Sequence, residues 1–166
     1  DTAHDASRNL AEEKGVFGNY DQSVYKDRGI KYRNATTTTI APTGTLSILA
    51  GCSSGIEPLF ALSFVRNVMH NDKLLEVNPY FEKVARKSGF FSNELMDDVA
   101  KKGSIQDMME IPAEVRAVFV TAHDVSPEWH IRMQAAFQKY TDNAVSKTVN
   151  LPHDATVEDV KKVYDL

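Results

Sequence analysis

One cysteine, Cys52, stands in 166 residues, which excludes an intrachain disulfide, a cysteine-rich zinc site and any reaction that draws two thiols from this chain, and suits a reducing cytoplasm. No run approaches the roughly 18 consecutive apolar residues that cross a bilayer. The first residues, Asp1-Thr2-Ala3-His4-Asp5, are neither basic nor followed by an apolar stretch, so no export signal is legible. The chain also starts without Met, as a piece of something longer would. With only 8 Gly and 6 Pro, low-complexity and collagen-like readings fall away. Positive charge is short too: 19 basic against 23 acidic residues leave −4, which argues against coating a nucleic acid or an anionic membrane. What is present is apolar. Hydrophobic residues make up 42%, including 8 Phe, 6 Tyr and 1 Trp, enough for a core that removes roughly 70% of the extended-chain surface from water.

Local patterns place the elements. Residues 5–14 read as a helix closed by Gly15. Residues 16–33 mix aromatics with turn formers, an ordered connection with one helical turn. Residues 35–41, β-branched nearly throughout, predict a strand stopped by Pro42, followed by a tight turn and a short helix ending near Gly51. Residues 60–68 are apolar and aromatic and predict a second, largely buried strand. Helices follow at 79–88, 92–102 and from Pro112 to Phe119, with Gly89 and Gly103 as stops. Ser126-Pro127-Glu128 is an N-cap, a first-turn proline and a first-turn acid, opening a helix whose Trp129, Met133, Ala136, Phe137 and Tyr140 form a stripe read as core. Residues 146–151 predict a third strand, and Thr156-Val157-Glu158-Asp159 a capping box. With no repeat and no linker, residues 1–166 read as a single unit, an α/β piece with parallel strands too few for its helices.

Residues 36–47 carry the most chemistry. A strand running into Pro42-Thr43-Gly44-Thr45-Leu46-Ser47 and then a helix presents unpaired N–H groups and hydroxyls, which hold phosphate without a basic residue. Gly44 lets the backbone approach an anion closely. The P-loop is excluded, since its second glycine and its lysine are missing. The alternative is an ordinary turn capped by Thr and Ser. Cys52 has no His, Lys or Arg beside it in sequence to lower its pKa. His4, His70, His123, His130 and His153 show no metal-ligand spacing. Glu57 is an isolated loop carboxylate, and Lys147 a candidate anion ligand.

Beyond these readings, the run RNATTTTIAPTGTLS at residues 33–47, followed by GCSSGIEP at 51–58, closely resembles the adenosylcobalamin-dependent (class II) ribonucleotide reductases. HIRMQAAFQK at 130–139 and DNAVSKTVN at 142–150 are similar to the same family, and the likeness runs from about Leu10 to the last residue. Gly18 departs from it, since relatives often carry proline there. The resemblance implies part of a ten-stranded α/β barrel of the ribonucleotide reductase and glycyl-radical-enzyme type, residues 1–166 being a C-terminal portion. It implies a cytoplasmic radical oxidoreductase of deoxyribonucleotide biosynthesis, and hence of DNA synthesis, reducing ribonucleoside diphosphates or triphosphates. It implies adenosylcobalamin, with its cobalt, in the full-length enzyme and none bound to this fragment. In the family the segment matching Pro42, Thr43, Gly44, Thr45, Leu46 and Ser47 holds the substrate's phosphates. The thiyl chemistry needs three cysteines, so no catalytic or metal residue is expected here and the chain alone is expected to reduce no ribonucleotide. The expected partners are the substrate, the rest of the reductase chain and, in a homodimer, a second copy; neither nucleic acid nor membrane is among them. The competing class is a stand-alone nucleotide- or phosphate-binding module without catalysis.

Overall fold

The computed structural model describes residues 2–67 and 73–166, and its contacts gather into two compact units. The first comprises Asp1–Pro42 and Gln134–Ser146. Its helix α1, Thr2–Lys14, turns Ser7 and Ala11 inward and ends at Gly15, whose φ of +79° is the left-handed C-cap that the sequence predicts. Ser7 ties the returning chain to the helix, accepting from Arg33 N–H through its carbonyl at 2.9 Å and from Asn34 N–H through its hydroxyl at 3.0 Å. Between them lie a 3₁₀ turn at Tyr20–Gln22 and the short α2, Val24–Asp27. Tyr25 and Tyr32 meet edge to face at 5.1 Å, and the Arg8 guanidinium lies over the Tyr32 ring.

The strands predicted at 35–41 and 146–151 are corrected here. Only a parallel bridge between Ile40 and Val145 forms, with Ser146 N–H donating to Ile40 O at 2.8 Å. The threonines explain the shortfall, because their hydroxyls take over bonds that a ladder would make through the main chain: Thr39 Oγ1 donates to Ala144 O and Thr38 Oγ1 accepts from Asp142 N–H.

The second unit comprises Thr43–Met133 and Lys147–Leu166. Helix α3, Gly44–Ala50, ends at Gly51 in the left-handed conformation. Strand β1, Ser63–Asn67, pairs antiparallel with β2, Lys73–Val77, which the sequence reading missed. The predicted strand thus begins three residues late, and its last residue, Val68, lies outside the described residues, as does His70. It is also less buried than expected, since Phe64 and Val65 are exposed while Leu62 and Ser63 are buried. The second of the three helices that follow packs on the hairpin, and the other two share its core. In α4, Pro79–Lys87, the Asn78 carboxamide caps the N–H groups of Tyr80 and Phe81. In α5, Asn93–Lys102, Ser92 caps Leu95 and Gly103 closes the helix. Helix α6, Ala113–Val118, follows Pro112. Their inward residues, Phe81, Ala85, Met96, Val99 and Val115, form one apolar core with Leu62, Ile105, Met108 and Ile111.

Helix α7, Pro127–Gln138, begins where Ser-Pro-Glu predicts, and α8, Val157–Asp165, carries the reciprocal capping box of Thr156 and Asp159. The stripe on α7 is a correction. His130 is the buried residue, whereas Trp129, Met133, Phe137 and Tyr140 are exposed, Tyr140 at 83%. Periodicity identifies the apolar face of a helix but not what covers it. Val157, Val160 and Tyr164 of α8 are exposed as well. Such surface drives association. Concentration-dependent light scattering and strong binding of a hydrophobic dye are the expected results, and a dye-silent monomer at high concentration would contradict them.

Candidate functional site

Thr43, the first residue of the second unit, has φ 48° and ψ 28° and is, among the described residues, the one non-glycine at positive φ. For a β-branched side chain that conformation costs about 1–3 kcal/mol and persists only where surroundings impose it. Its Oγ1 lies 3.3 Å from Ser54 Oγ. The first bond of α3 is Ser47 N–H to Thr43 O at 2.9 Å, so the N–H groups of Gly44, Thr45 and Leu46 precede the helical ladder. No side chain caps this turn. A Cβ added at Gly44 would meet nothing within 4 Å, so space is open beside that residue. Ser47 Oγ donates to Gly44 O at 2.7 Å, so its proton is engaged within the turn and its oxygen would have to rotate to donate to a ligand. Of the residues named from sequence, Thr43 to Ser47 form the turn, with the N–H groups of residues 44–46 ahead of the helical ladder and Thr43 as its strained corner.

Behind the turn a groove of about 900 Å³ is lined by Ser47, Ser53, Ser54 and Ser63, by the apolar Leu59, Phe60 and Phe64, and by His123. The Ser63 hydroxyl is buried there without a hydrogen-bond partner, a polar atom whose desolvation a bound oxygen or water would relieve.

Sequence reasoning named Glu57 and Lys147 singly. The structure brings them together: Lys147 Nζ donates to Glu57 Oε2 at 2.5 Å and Thr148 N–H donates to Oε1 at 2.6 Å. The Lys147 side chain is 1% exposed, and the lysine is therefore an internal counter-ion rather than an open anion ligand. The signal available was their residue types, a lone acid and a lone base in loops; nothing in their separation announces the pair. His130 is buried with Nε2 on Ala122 O at 3.1 Å, and burial lowers its pKa, so the ring is neutral at pH 7. Cys52 is exposed. Among the described residues no three His, Cys, Asp or Glu side chains cluster as metal ligands, and no helix is long and apolar enough to cross a membrane.

A family model described as the ribonucleotide reductase barrel domain matches residues 26–166. The chain is 55% identical over 164 residues to the vitamin B12-dependent ribonucleoside-diphosphate reductase of Thermoplasma acidophilum, covering 99% of this chain and 21% of that protein. It is 50% identical over 162 residues to the protein of the same name from Mycobacterium tuberculosis, covering 98% and 23%. Among solved structures it is similar to the alpha subunit of the class Id ribonucleotide reductase of Actinobacillus ureae, with a TM-score of 0.72, 27% identity and coverage of 96% of this chain and 28% of that one. The chain thus spans between a fifth and a quarter of the length of the two vitamin B12-dependent reductases and 28% of the class Id subunit. Its helices and short strands are part of an α/β barrel, and the chain belongs to the ribonucleotide reductase barrel-domain family.

Proposed function

We propose that this chain supplies the substrate phosphate-binding turn of a cytoplasmic, cobalamin-dependent ribonucleoside-diphosphate reductase, which makes deoxyribonucleotides for DNA synthesis. The observation that carries the reading is the turn at 43–47 without a side-chain cap, with three N–H groups ahead of the helical ladder, open space at Gly44 and a strained threonine, in a chain 55% identical to a protein of that name. A diphosphate needs donors and no acceptors, and such donors are what the turn offers. The N–H groups of Gly44, Thr45 and Leu46 bind its oxygens, Thr43 sets their direction, and the groove with Ser63 and His123 receives the rest of the nucleotide.

The groups gathered at the turn are hydroxyls and amides, a set fitted to an oxyanion. In the whole enzyme adenosylcobalamin supplies the radical when bound. The residues of this chain hold and orient substrate, and no step through the cofactor is derived from them.

Hydrogen bonds to a charged group contribute about 1.5–3 kcal/mol each before desolvation and ordering offset much of it. The turn alone should bind weakly, on the order of millimolar. Calorimetric titration with a ribonucleoside diphosphate and with its unphosphorylated nucleoside tests the reading. Binding of the diphosphate alone supports it, and equal affinity for both would remove the phosphate from the site.

A further inference from the structure

Thr43 holds a backbone conformation that its own side chain disfavours, so something beyond the turn must impose it. A chain of contacts leads to the source. Thr43 Oγ1 meets Ser54 Oγ at 3.3 Å. The Ser54 carbonyl accepts from Glu57 N–H at 2.9 Å. Glu57 is fixed through both carboxylate oxygens, one on Lys147 Nζ and one on Thr148 N–H, while Lys147 Nζ also donates to Thr148 O at 2.5 Å.

The second unit therefore contains a strut from residues 147–148 through 54–57 to Thr43. Its anchor is half-buried, with the Lys147 side chain 1% exposed and that of Glu57 22%, and removing one partner would leave the other charge poorly compensated. A surface pair would be screened and loose. Resting on the phosphate reading of the turn, we propose that Glu57 and Lys147 are positioning residues: their ion pair holds Ser54 and thereby Thr43, keeping the N–H groups of residues 44–46 aimed at one point. Neither side chain touches the anion. Lys147 is 1% exposed, with its ammonium already on Glu57 and Thr148, so charge attraction at the binding face is not its role.

The test uses the full chain with inorganic phosphate as the probe, comparing the parent with Glu57→Gln, Lys147→Met and the double variant. Glu57→Gln keeps the volume and an oxygen for Thr148 N–H, and serves if Lys147→Met does not fold. Two quantities are read: the phosphate dissociation constant, and the amide and Cα shifts of Thr43, which report its left-handed backbone without any ligand. Expected are a three- to tenfold weaker constant in each single variant, roughly the range of couplings carried through a contact network, no further loss in the double variant, and Thr43 shifts displaced toward ordinary backbone. A lower melting temperature with unchanged affinity and unchanged Thr43 shifts would make the pair merely structural and overturn the proposal. Additive losses in the double variant would overturn it as well, because the two residues would then act separately. If the parent itself binds no phosphate, the phosphate reading fails, while the Thr43 shifts still decide whether the strut sets the turn.

Discussion

Replacing Phe81 by alanine is expected to destabilise the second unit by about 3–5 kcal/mol, the cost of emptying a fully buried aromatic site. Phe81 is 0% exposed. It sits one turn into α4, its N–H held by the Asn78 cap, and its ring meets Phe119 at 5.2 Å and Phe90 at 6.2 Å. Those rings come from the far end of α6 and the turn after α4, so they cannot follow a shrinking side chain without moving backbone. The loss would be a large share of the 5–15 kcal/mol that holds a domain folded. Denaturant unfolding should show the midpoint falling sharply with little change in slope. A cost below about 1 kcal/mol would mean that this ring is not central to the core.

Asp142→Asn should act on the first unit and do so through pH. Burial pushes the Asp142 carboxyl up, but the N–H and hydroxyl of Thr37 on Oδ2, at 2.8 and 2.9 Å, and His4 Nε2 on Oδ1, at 2.9 Å, outweigh it and lower the pKa to about 2. A carboxyl that is more acidic folded than unfolded stabilises fully above its unfolded pKa of about 4 and loses that stability as pH falls through the folded value. The window is therefore pH 4 down to 2, and the contribution at neutral pH is roughly 2 kcal/mol. Asn can still accept from Thr37 but carries no charge, so the variant should be weaker at pH 7 and show a flatter acid limb between pH 4 and 2. Matching acid limbs in the two proteins would show that Asp142 does not titrate with folding.

Much of this was written locally. Caps are short-range chemistry: Gly15, Gly103 and the Thr156 box stand where sequence places them, and Asn78 and Ser92 cap helices whose starts the sequence marks to within a residue. The 43–47 turn was legible for the same reason, since Pro-Thr-Gly at the end of a β-branched run leaves few other conformations. What escaped depends on partners distant in the chain. The Thr36 to Thr39 run reads as a strand by propensity, yet it pairs through hydroxyls because Asp142 and Asn143, more than 100 positions away, meet it. The α7 stripe has a clear apolar period, yet Trp129, Met133 and Phe137 are exposed. Glu57 and Lys147, 90 residues apart, carry no shared motif that would join them.

Amide NMR of the chain during phosphate titration, with Gly44→Val run beside the parent, tests whether the turn at 43–47 is a phosphate site. A side chain at Gly44 meets no protein atom, so the fold should tolerate it while the anion is blocked. Saturating shifts are expected at Gly44, Thr45 and Leu46 in the parent, with a dissociation constant on the order of millimolar, and they should be lost in Gly44→Val. Shifts confined to residues elsewhere, or the same shifts in Gly44→Val, would contradict the phosphate reading and leave residues 43–47 as an ordinary turn at the start of a short helix.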